Sequence, residues 1–239
     1  MVSVYFTSDL HGRMSFRGYL KNITDRENSL ILDGGDAING NNYFGPSREK
    51  ILDEMENSGY FAMAMGNREF CYNRILLKKR IKQTSIKILS ANLVDIKKRD
   101  EDYLIPFAVK NIGKSKIGII GLNANQFSHN IIFSKITGFD FIDYKKASDK
   151  YINLIKEKVD IIIVLSHSGF NEDMYLLENS NAPIVILGGH SHKITPEPLI
   201  RNNSIMFHAG AYANKILKVI LDDSSGKLSY FGYEFINLI

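Results

Sequence analysis

Apolar runs and amphipathic stretches alternate along the first two-thirds of the chain. Short apolar, β-branched and aromatic runs bounded by polar loops are typical of buried strands. They predict strands over VSVYF (2–6), SLILD (29–33), YFAMAM (60–65), IKILSANL (86–93), DIIIVLSH (160–167) and PIVILGG (183–189). Apolar residues at helical spacing predict helices over residues 15–26, 46–59, 72–83 and 144–158. Because strands alternate with helices, the pattern predicts an α/β fold.

Paired strands interrupt and close this series. LIPFAVKN (104–111) and SKIGIIGL (115–122) flank the turn Gly113-Lys114, which predicts a hairpin. Strand patterns on either side of Ser224-Ser225-Gly226 predict a second one. No repeat or linker divides the chain, so we expect a single domain over residues 1–239 with mixed sheets between helical layers.

Composition narrows the class of protein without identifying it. The 239 residues are 44% hydrophobic, enough for a full core, and carry a net charge of only +4. The basic residues are interspersed with acidic ones, so we expect no nucleic-acid partner. No apolar run reaches the roughly 18 residues that cross a bilayer. With one cysteine and no secretory signal pattern at the N-terminus, a cytoplasmic location is expected.

Residues that commonly bind metal ions follow the predicted strands. The strand-end loops contain seven such residues, namely Asp9, His11, Asp36, Asn67, His167, His190 and His192. In α/β folds ligands bind at the carboxyl ends of strands. Residues two apart in extended backbone face the same side, so the Asp9/His11 and His190/His192 pairs can each aim two side chains at one cavity.

Each of these residues also has an ordinary structural explanation. An aspartate after a strand is often a helix cap or turn residue, and a lone histidine is often a hydrogen-bonded polar residue. Their joint placement at five strand ends favours a metal site. His129 and His208 do not share this placement, and we interpret them as structural.

These motifs resemble those of calcineurin-like metallophosphoesterases, and within them the catalytic domain of bacterial 5′-nucleotidases. The similar stretches include FTSDLHGR, ILDGGDAI, NSGYFAMAMGNREF, DIIIVLSHSG, VILGGHSH and HAGAYANKILKV. The resemblance implies a four-layer α/β/β/α sandwich with mixed sheets. It also implies a phosphoesterase with two divalent ions about 3.5–4 Å apart at the strand carboxyl ends.

The resemblance further implies how the ligands are shared. The family's motifs would place the first ion on Asp9, His11, Asp36 and His192, and the second on Asp36, Asn67, His167 and His190. Asp36 would bridge the ions and Asn67 would also meet the substrate. Such ligands without a thiolate suit Mn, Fe or Zn better than Ca. The surplus positive charge would favour a hydroxide nucleophile and a small anionic phosphate ester as substrate.

The sequence departs from the family pattern after Asn67. Arg68 stands where the family's motif carries a histidine, and Cys71 stands where nucleotidases carry the aspartate that orients it. An arginine stays protonated, so it can bind a phosphate oxygen but cannot usefully donate a proton. We expect Arg68 to be an active-site residue that binds substrate at the expense of acid catalysis. The alternative is that Arg68 packs or pairs outside the site.

The natural substrate stays open at this stage. Nucleotidases carry a further C-terminal domain for the base, so we do not carry nucleotide specificity over to these 239 residues. The leading hypothesis is a dinuclear metal-dependent phosphoesterase whose substrate is unknown, with nucleotide-like esters and phosphodiesters as candidates. One alternative is a hydrolase acting at sulfur, as in the related thiosulfohydrolases, which also alter the histidine. The other is a metal-binding regulatory or scaffold protein with little turnover.

Overall fold

Two stacked sheets form the centre of the fold. The computed structural model of the chain describes residues 1–39, 48–70, 74–97, 103–124, 131–222 and 229–238. Within these ranges the strands are β1 Val2–Thr7, β2 Ser29–Asp33, β3 Tyr60–Ala64, β4 Lys87–Leu89, β5 Leu93–Asp95, β6 Phe107–Ile112, β7 Ser115–Asn123, β8 Phe139–Phe141, β9 Ile161–His167, β10 Val185–Gly188, β11 Leu199–Arg201, β12 Ser204–His208, β13 Lys215–Asp222 and β14 Ser229–Asn237. The helices are α1 Phe16–Lys21, α2 Lys50–Asn57, α3 Arg74–Gln83, α4 Ile131–Thr137, α5 Tyr144–Ile155 and α6 Phe170–Asn179.

Both large sheets are mixed, as the sequence predicted. The first has the strand order β14-β13-β1-β2-β3-β4, and the second has the order β11-β12-β10-β9-β7-β6. In the first sheet β1 to β4 run parallel, whereas β13 lies antiparallel to β1. In the second sheet β7, β9, β10 and β12 run parallel, with antiparallel strands at both edges. A small antiparallel pair, β5 with β8, lies apart from them.

Three apolar clusters show that the layers follow one another as helices, sheet, sheet, helices. One cluster joins α1, α2 and α3 to the first sheet, one lies between the sheets, and one joins α5 and α6 to the second sheet. Strand β9 illustrates the alternation, because Ile161, Ile163 and Leu165 face the other sheet while Ile162 and Val164 face the helices. The four-layer sandwich is therefore confirmed. None of the helices within the described ranges is long and apolar enough to cross a membrane.

Most elements agree with the sequence pattern except at their ends. The single strand predicted over residues 86–93 is wrong, because β4 and β5 share that segment and belong to different sheets. The short strands β8 and β11 were not predicted. The hairpin at Gly113 is confirmed, with a φ of 56° at that glycine. Strands β13 and β14 pair antiparallel, while the turn at residues 224–226 lies outside the described ranges. Helix α6 was not predicted from the sequence, and neither was α4. At the start of α6, Gly169 occupies the cap position with a φ of 103°, and no side chain marks the helix start.

Candidate metal centre

The seven predicted ligand residues meet at one edge of the sandwich. Asp9, His11, Asp36 and Asn67 follow β1, β2 and β3 of the first sheet. His167 ends β9, and His190 and His192 follow β10 of the second sheet. Because these strands are parallel within each sheet, their carboxyl ends lie side by side and bring the loops together.

The first group of close side chains is Asp9, His11 and His192. One ligand atom from each lies within 4.8 Å of the others. His11 Nε2 lies 3.3 Å from His192 Nε2, and His192 Nε2 lies 3.3 Å from Asp9 Oδ1. Asp9 is fully buried, whereas the His192 side chain is 37% exposed. The group thus forms the open side of the candidate site.

The second group is Asp9, Asp36 and His167, all of which are buried. His167 Nε2 lies 3.4 Å from Asp36 Oδ1 and 3.1 Å from Asn67 Oδ1. The other ring nitrogen of His167 lies 2.8 Å from the carbonyl oxygen of Gly34, which fixes the ring orientation. Asp9 belongs to both groups, while the bridging role expected for Asp36 stays a prediction.

His190 packs beside the second group. Its ring centroid lies 5.0 Å from that of His167, and its backbone N–H donates to Asp9 Oδ2 at 3.0 Å. Burial, followed by the charge of His167, lowers the pKa of His190. A neutral imidazole is the form that binds a metal ion.

The chemistry of these atoms fits divalent metal ions. Asp9 Oδ1 is buried and accepts no hydrogen bond from the described residues, although a buried carboxylate oxygen normally has a donor. Nitrogens of three imidazoles (His11, His192 and His167) and an oxygen of a second carboxylate lie within 4.8 Å of an Asp9 carboxylate oxygen. Burial is the main cause that lowers the pKa of His11, and the charge of Arg68 adds to it. A cation placed among these oxygen and nitrogen atoms would supply the missing partner.

Five of the seven residues hold the backbone in the left-handed region. The φ values are 51° at Asp9, 46° at His11, 55° at Asp36, 67° at His190 and 54° at His192. Such conformations cost about 1–3 kcal/mol each and persist where the surroundings enforce them. Here backbone hydrogen bonds do so, because Asp9 N donates to Gly35 O and His11 N donates to Asp36 O.

Glu69 is a site residue that the sequence reasoning missed. Its fully buried carboxylate accepts hydrogen bonds from the backbone N–H groups of Asp36, Ile38 and Gly66, at 2.9, 3.1 and 2.8 Å. It thereby joins the loop after β2 to the loop after β3. Burial, followed by the charge of Asp36, raises the pKa of Glu69 to about 7. The acidic residue in GNRE could have been noted, but its backbone partners are invisible in a sequence.

Arg68 lies at the candidate site and is half-buried. Its backbone N–H donates to Asp36 Oδ1 at 2.7 Å, and its charge contributes to the lowered pKa of His11. Its carbonyl oxygen accepts from Arg80 Nη1 at 3.2 Å, and the buried Arg80 pairs with Glu49 at 3.3 Å. Cys71 and His129, which the sequence analysis also considered, lie outside the described residues.

Two further residues adjoin the site without having been predicted there. His208 is buried and forms contacts with Asp173 and with Ser191, the residue between His190 and His192. Tyr212 is half-exposed, and its ring lies beside the rings of His11 and His192. The sequence could not indicate that Tyr212 lies beside His11, because the two residues are far apart along the chain.

The sequence and the fold both have counterparts among known proteins. The profile of the calcineurin-like phosphoesterases matches residues 2–194. A snake venom 5′-nucleotidase from Gloydius brevicauda is 32% identical over 169 residues, which are 68% of this chain and 28% of that protein. The chain therefore spans less than a third of the length of this curated relative.

Solved structures with a similar fold include a 5′-nucleotidase and a sulfate thiohydrolase. A 5′-nucleotidase precursor from Thermus thermophilus superposes with a TM-score of 0.78 at 25% identity, over 99% of this chain and 54% of that one. The sulfate thiohydrolase SoxB of Thermus thermophilus superposes with a TM-score of 0.81 at 15% identity, over 99% and 56%. At that identity the second likeness concerns the fold alone.

Proposed function

The chain belongs to the calcineurin-like phosphoesterase family and is related to 5′-nucleotidases. We propose that it hydrolyses small anionic phosphate esters with two bound divalent ions. Mn, Fe and Zn are the candidate metals, because the ligand set is made of imidazole, carboxylate and amide groups. The single observation that carries the proposal is the pair of ligand groups that share Asp9.

Each part of the site has a role in this proposal. Bound divalent ions would polarise the phosphoryl oxygens and lower the pKa of a water molecule. Asp9 and Asp36, both buried, hold the negative charge that offsets the ions, and Glu69 keeps the two loops of the first sheet in register. Asn67 Oδ1 lies 3.1 Å from His167 Nε2, so these two atoms would hold the second ion together. Together they keep the reacting groups in place, which is most of what phosphoryl transfer requires.

Arg68 sets the expected substrate preference. Burial lowers the pKa of His11, and the charge of the Arg68 guanidinium adds to this effect. In this proposal the guanidinium gives a fixed positive charge for a phosphate oxygen, but it provides no proton for the leaving group. Loss of a general acid costs about 10²–10⁴ in rate when the leaving group is poor. The proposed substrates are therefore esters with good leaving groups, such as aryl phosphates, phosphodiesters and anhydrides.

A substrate panel with defined metal content tests this function. Chelated protein should be reloaded with Mn, Fe or Zn, its metal content measured by elemental analysis, and its activity assayed on aryl phosphates, diesters, nucleotides and a thiosulfonate. We expect two ions per chain and turnover of phosphate esters. Turnover of the thiosulfonate alone would favour sulfur chemistry. Two bound ions without turnover would favour a binding protein, and less than one ion with every metal would contradict the dinuclear site.

A further inference from the structure

Tyr212 stands at the open side of the candidate metal centre. Its ring centroid lies 5.3 Å from that of His11 and 5.2 Å from that of His192. The interplanar angles are 39° and 83°. The His11 and His192 centroids are themselves 5.3 Å apart, so both imidazoles lie in a similar direction from the phenol ring. Tyr212 as a whole is still 46% exposed. An aromatic surface therefore remains free directly beside two candidate ligands.

The backbone at Tyr212 is held in a conformation that a tyrosine rarely adopts. Its φ is 63°, and that of the following Ala213 is 52°. For a bulky residue this is an outlier that costs about 1–3 kcal/mol. Two hydrogen bonds hold the turn in place, from Tyr212 N to Asp9 O at 2.8 Å and from Ser15 Oγ to Ala213 O at 2.7 Å.

Packing of the core does not explain why a tyrosine occupies this turn. Ala213 supplies the buried contact there, since it is 2% exposed and belongs to the cluster under the helices of the first sheet. The Tyr212 side chain instead points to the site opening, and its backbone bond ties it to the loop that carries Asp9 and His11. A strained backbone that presents an exposed ring to a reaction site is a feature from which function can be inferred.

We propose that the free face of Tyr212 is a stacking subsite for a planar aromatic leaving group of the ester substrate. This inference rests on the proposed phosphoesterase function, and it specifies that the alcohol part of the ester substrate contains a planar aromatic group. Aryl groups and nucleobases share the required flat π-surface, and offset stacking on a tyrosine suits both. With the phosphate held between the ligand groups and Arg68, a planar group next to His11 and His192 gains contact that an aliphatic group of the same size lacks.

Two aryl esters separate stacking from leaving-group chemistry. Phenyl phosphate and 2-naphthyl phosphate release phenols of similar acidity, so the chemical step is comparable while the stacking area differs. Wild type and Tyr212→Phe should prefer the naphthyl ester in kcat/KM. Tyr212→Leu should reduce that preference about 3-fold to 10-fold, in keeping with the usual strength of an aromatic pair. Tyr19→Leu is the matched control, because Tyr19 is an exposed tyrosine on α1 and should behave as wild type.

A binding measurement tests the subsite without any turnover. Metal-loaded protein should bind 2-naphthol more tightly than the decalin alcohol of similar size, and Tyr212→Leu should remove the difference while its metal content stays at the wild-type value. If no ester is hydrolysed but this difference appears, the subsite stands and the proposed function fails. An unchanged naphthyl preference in Tyr212→Leu, or an equal loss in Tyr19→Leu, would overturn the subsite.

Discussion

His208 Nε2 lies 2.9 Å from Asp173 Oδ2 in the interior of the protein, and the pair connects α6 with β12. The other ring nitrogen of His208 lies 3.3 Å from Ser191 Oγ. Gly188 leaves room for the pair, because a Cβ there would lie 2.3 Å from both His208 Nε2 and Asp173 Oδ2. The buried pair thus supports the middle of the loop that carries His190 and His192.

Removal of His208 should loosen this loop and weaken metal binding. We expect His208→Leu to lower affinity for Mn²⁺ by about 10-fold, at the lower end of the effect of outer partners of metal ligands. His208→Gln should recover part of the loss, since the glutamine amide can donate a hydrogen bond to Asp173. Calorimetric titration of chelated protein measures both variants. Met206→Ala, a core truncation on the same face of β12, should lower stability without this change in affinity.

Asp36 should be the most sensitive candidate ligand. It is buried, lies 3.4 Å from His167, and accepts the backbone N–H of Arg68. If it bridges two ions, Asp36→Asn removes a charge from both and should reduce the metal content below one ion per chain. Elemental analysis after reloading measures this, with the exposed Asp149→Asn as control. Full metal content and activity in Asp36→Asn would contradict the bridging assignment.

Arg68 should affect substrate binding more than chemistry. In wild type, the rate should fall steeply as the leaving group of the ester becomes less acidic, because an arginine donates no proton. Arg68→Ala should raise KM for anionic esters by about 10-fold, as expected when a hydrogen bond to a charged group is lost. Steady-state kinetics on a series of esters measures both, with the exposed Arg201→Ala as control. The role fails if Arg68→Ala changes neither KM nor kcat.

Asp33 should make the stability of the protein depend on pH. Its buried carboxylate accepts hydrogen bonds from Thr7 Oγ1 at 2.7 Å and from Gly35 N at 2.8 Å, and Tyr60 Oη lies 2.8 Å from the same hydroxyl of Thr7. Burial is the main cause that raises the pKa of Asp33 well above its ordinary value. The folded state therefore keeps a proton that the unfolded chain releases near pH 4.

The sign of the effect follows from this raised pKa. The contribution of Asp33 to stability is complete below about pH 4 and declines as the pH rises towards the pKa in the folded state, by at most about 1.4 kcal/mol per pH unit. Asp33→Asn can keep the hydrogen bonds if the Thr7 hydroxyl turns towards Tyr60. Its stability relative to wild type should therefore increase with pH. Urea unfolding of chelated protein between pH 4 and 7 measures the difference, and a constant difference would contradict the buried proton.

The sequence predicted the site residues that directly follow or end a strand, because strands can be recognised from the residues next to one another in the chain. The apolar runs before Asp9, Asp36 and Asn67 and the run that ends in His167 form parallel strands, so these positions could be read from the strand pattern. The position of the site at one edge of the sandwich could be predicted as well, because the carboxyl ends of parallel strands lie side by side. His208, interpreted from the sequence as structural, is buried and its Nε2 lies 2.9 Å from Asp173 Oδ2.

Partners from distant segments could not be predicted in this way. Glu69 bonds the backbone of Asp36, 33 positions earlier, and nothing in either residue type specifies that contact. Tyr212 reaches His11 only because β13 pairs with β1 and carries the preceding turn with it. Such contacts depend on the order of the strands in a sheet. Apolar runs in a single sequence predict the strands but not their order or register in the sheet.

The left-handed backbone at the candidate ligands also bears on the evolutionary history of the chain. At Asp9, His11, Asp36, His190 and His192 a glycine would relax the backbone, since glycine adopts positive φ without steric cost. A lineage that no longer bound metal would gain stability by such replacements, and single mutations of this kind are readily fixed when they are neutral for function. The presence of carboxylate or imidazole side chains at all five positions is what continued selection for ligation would produce.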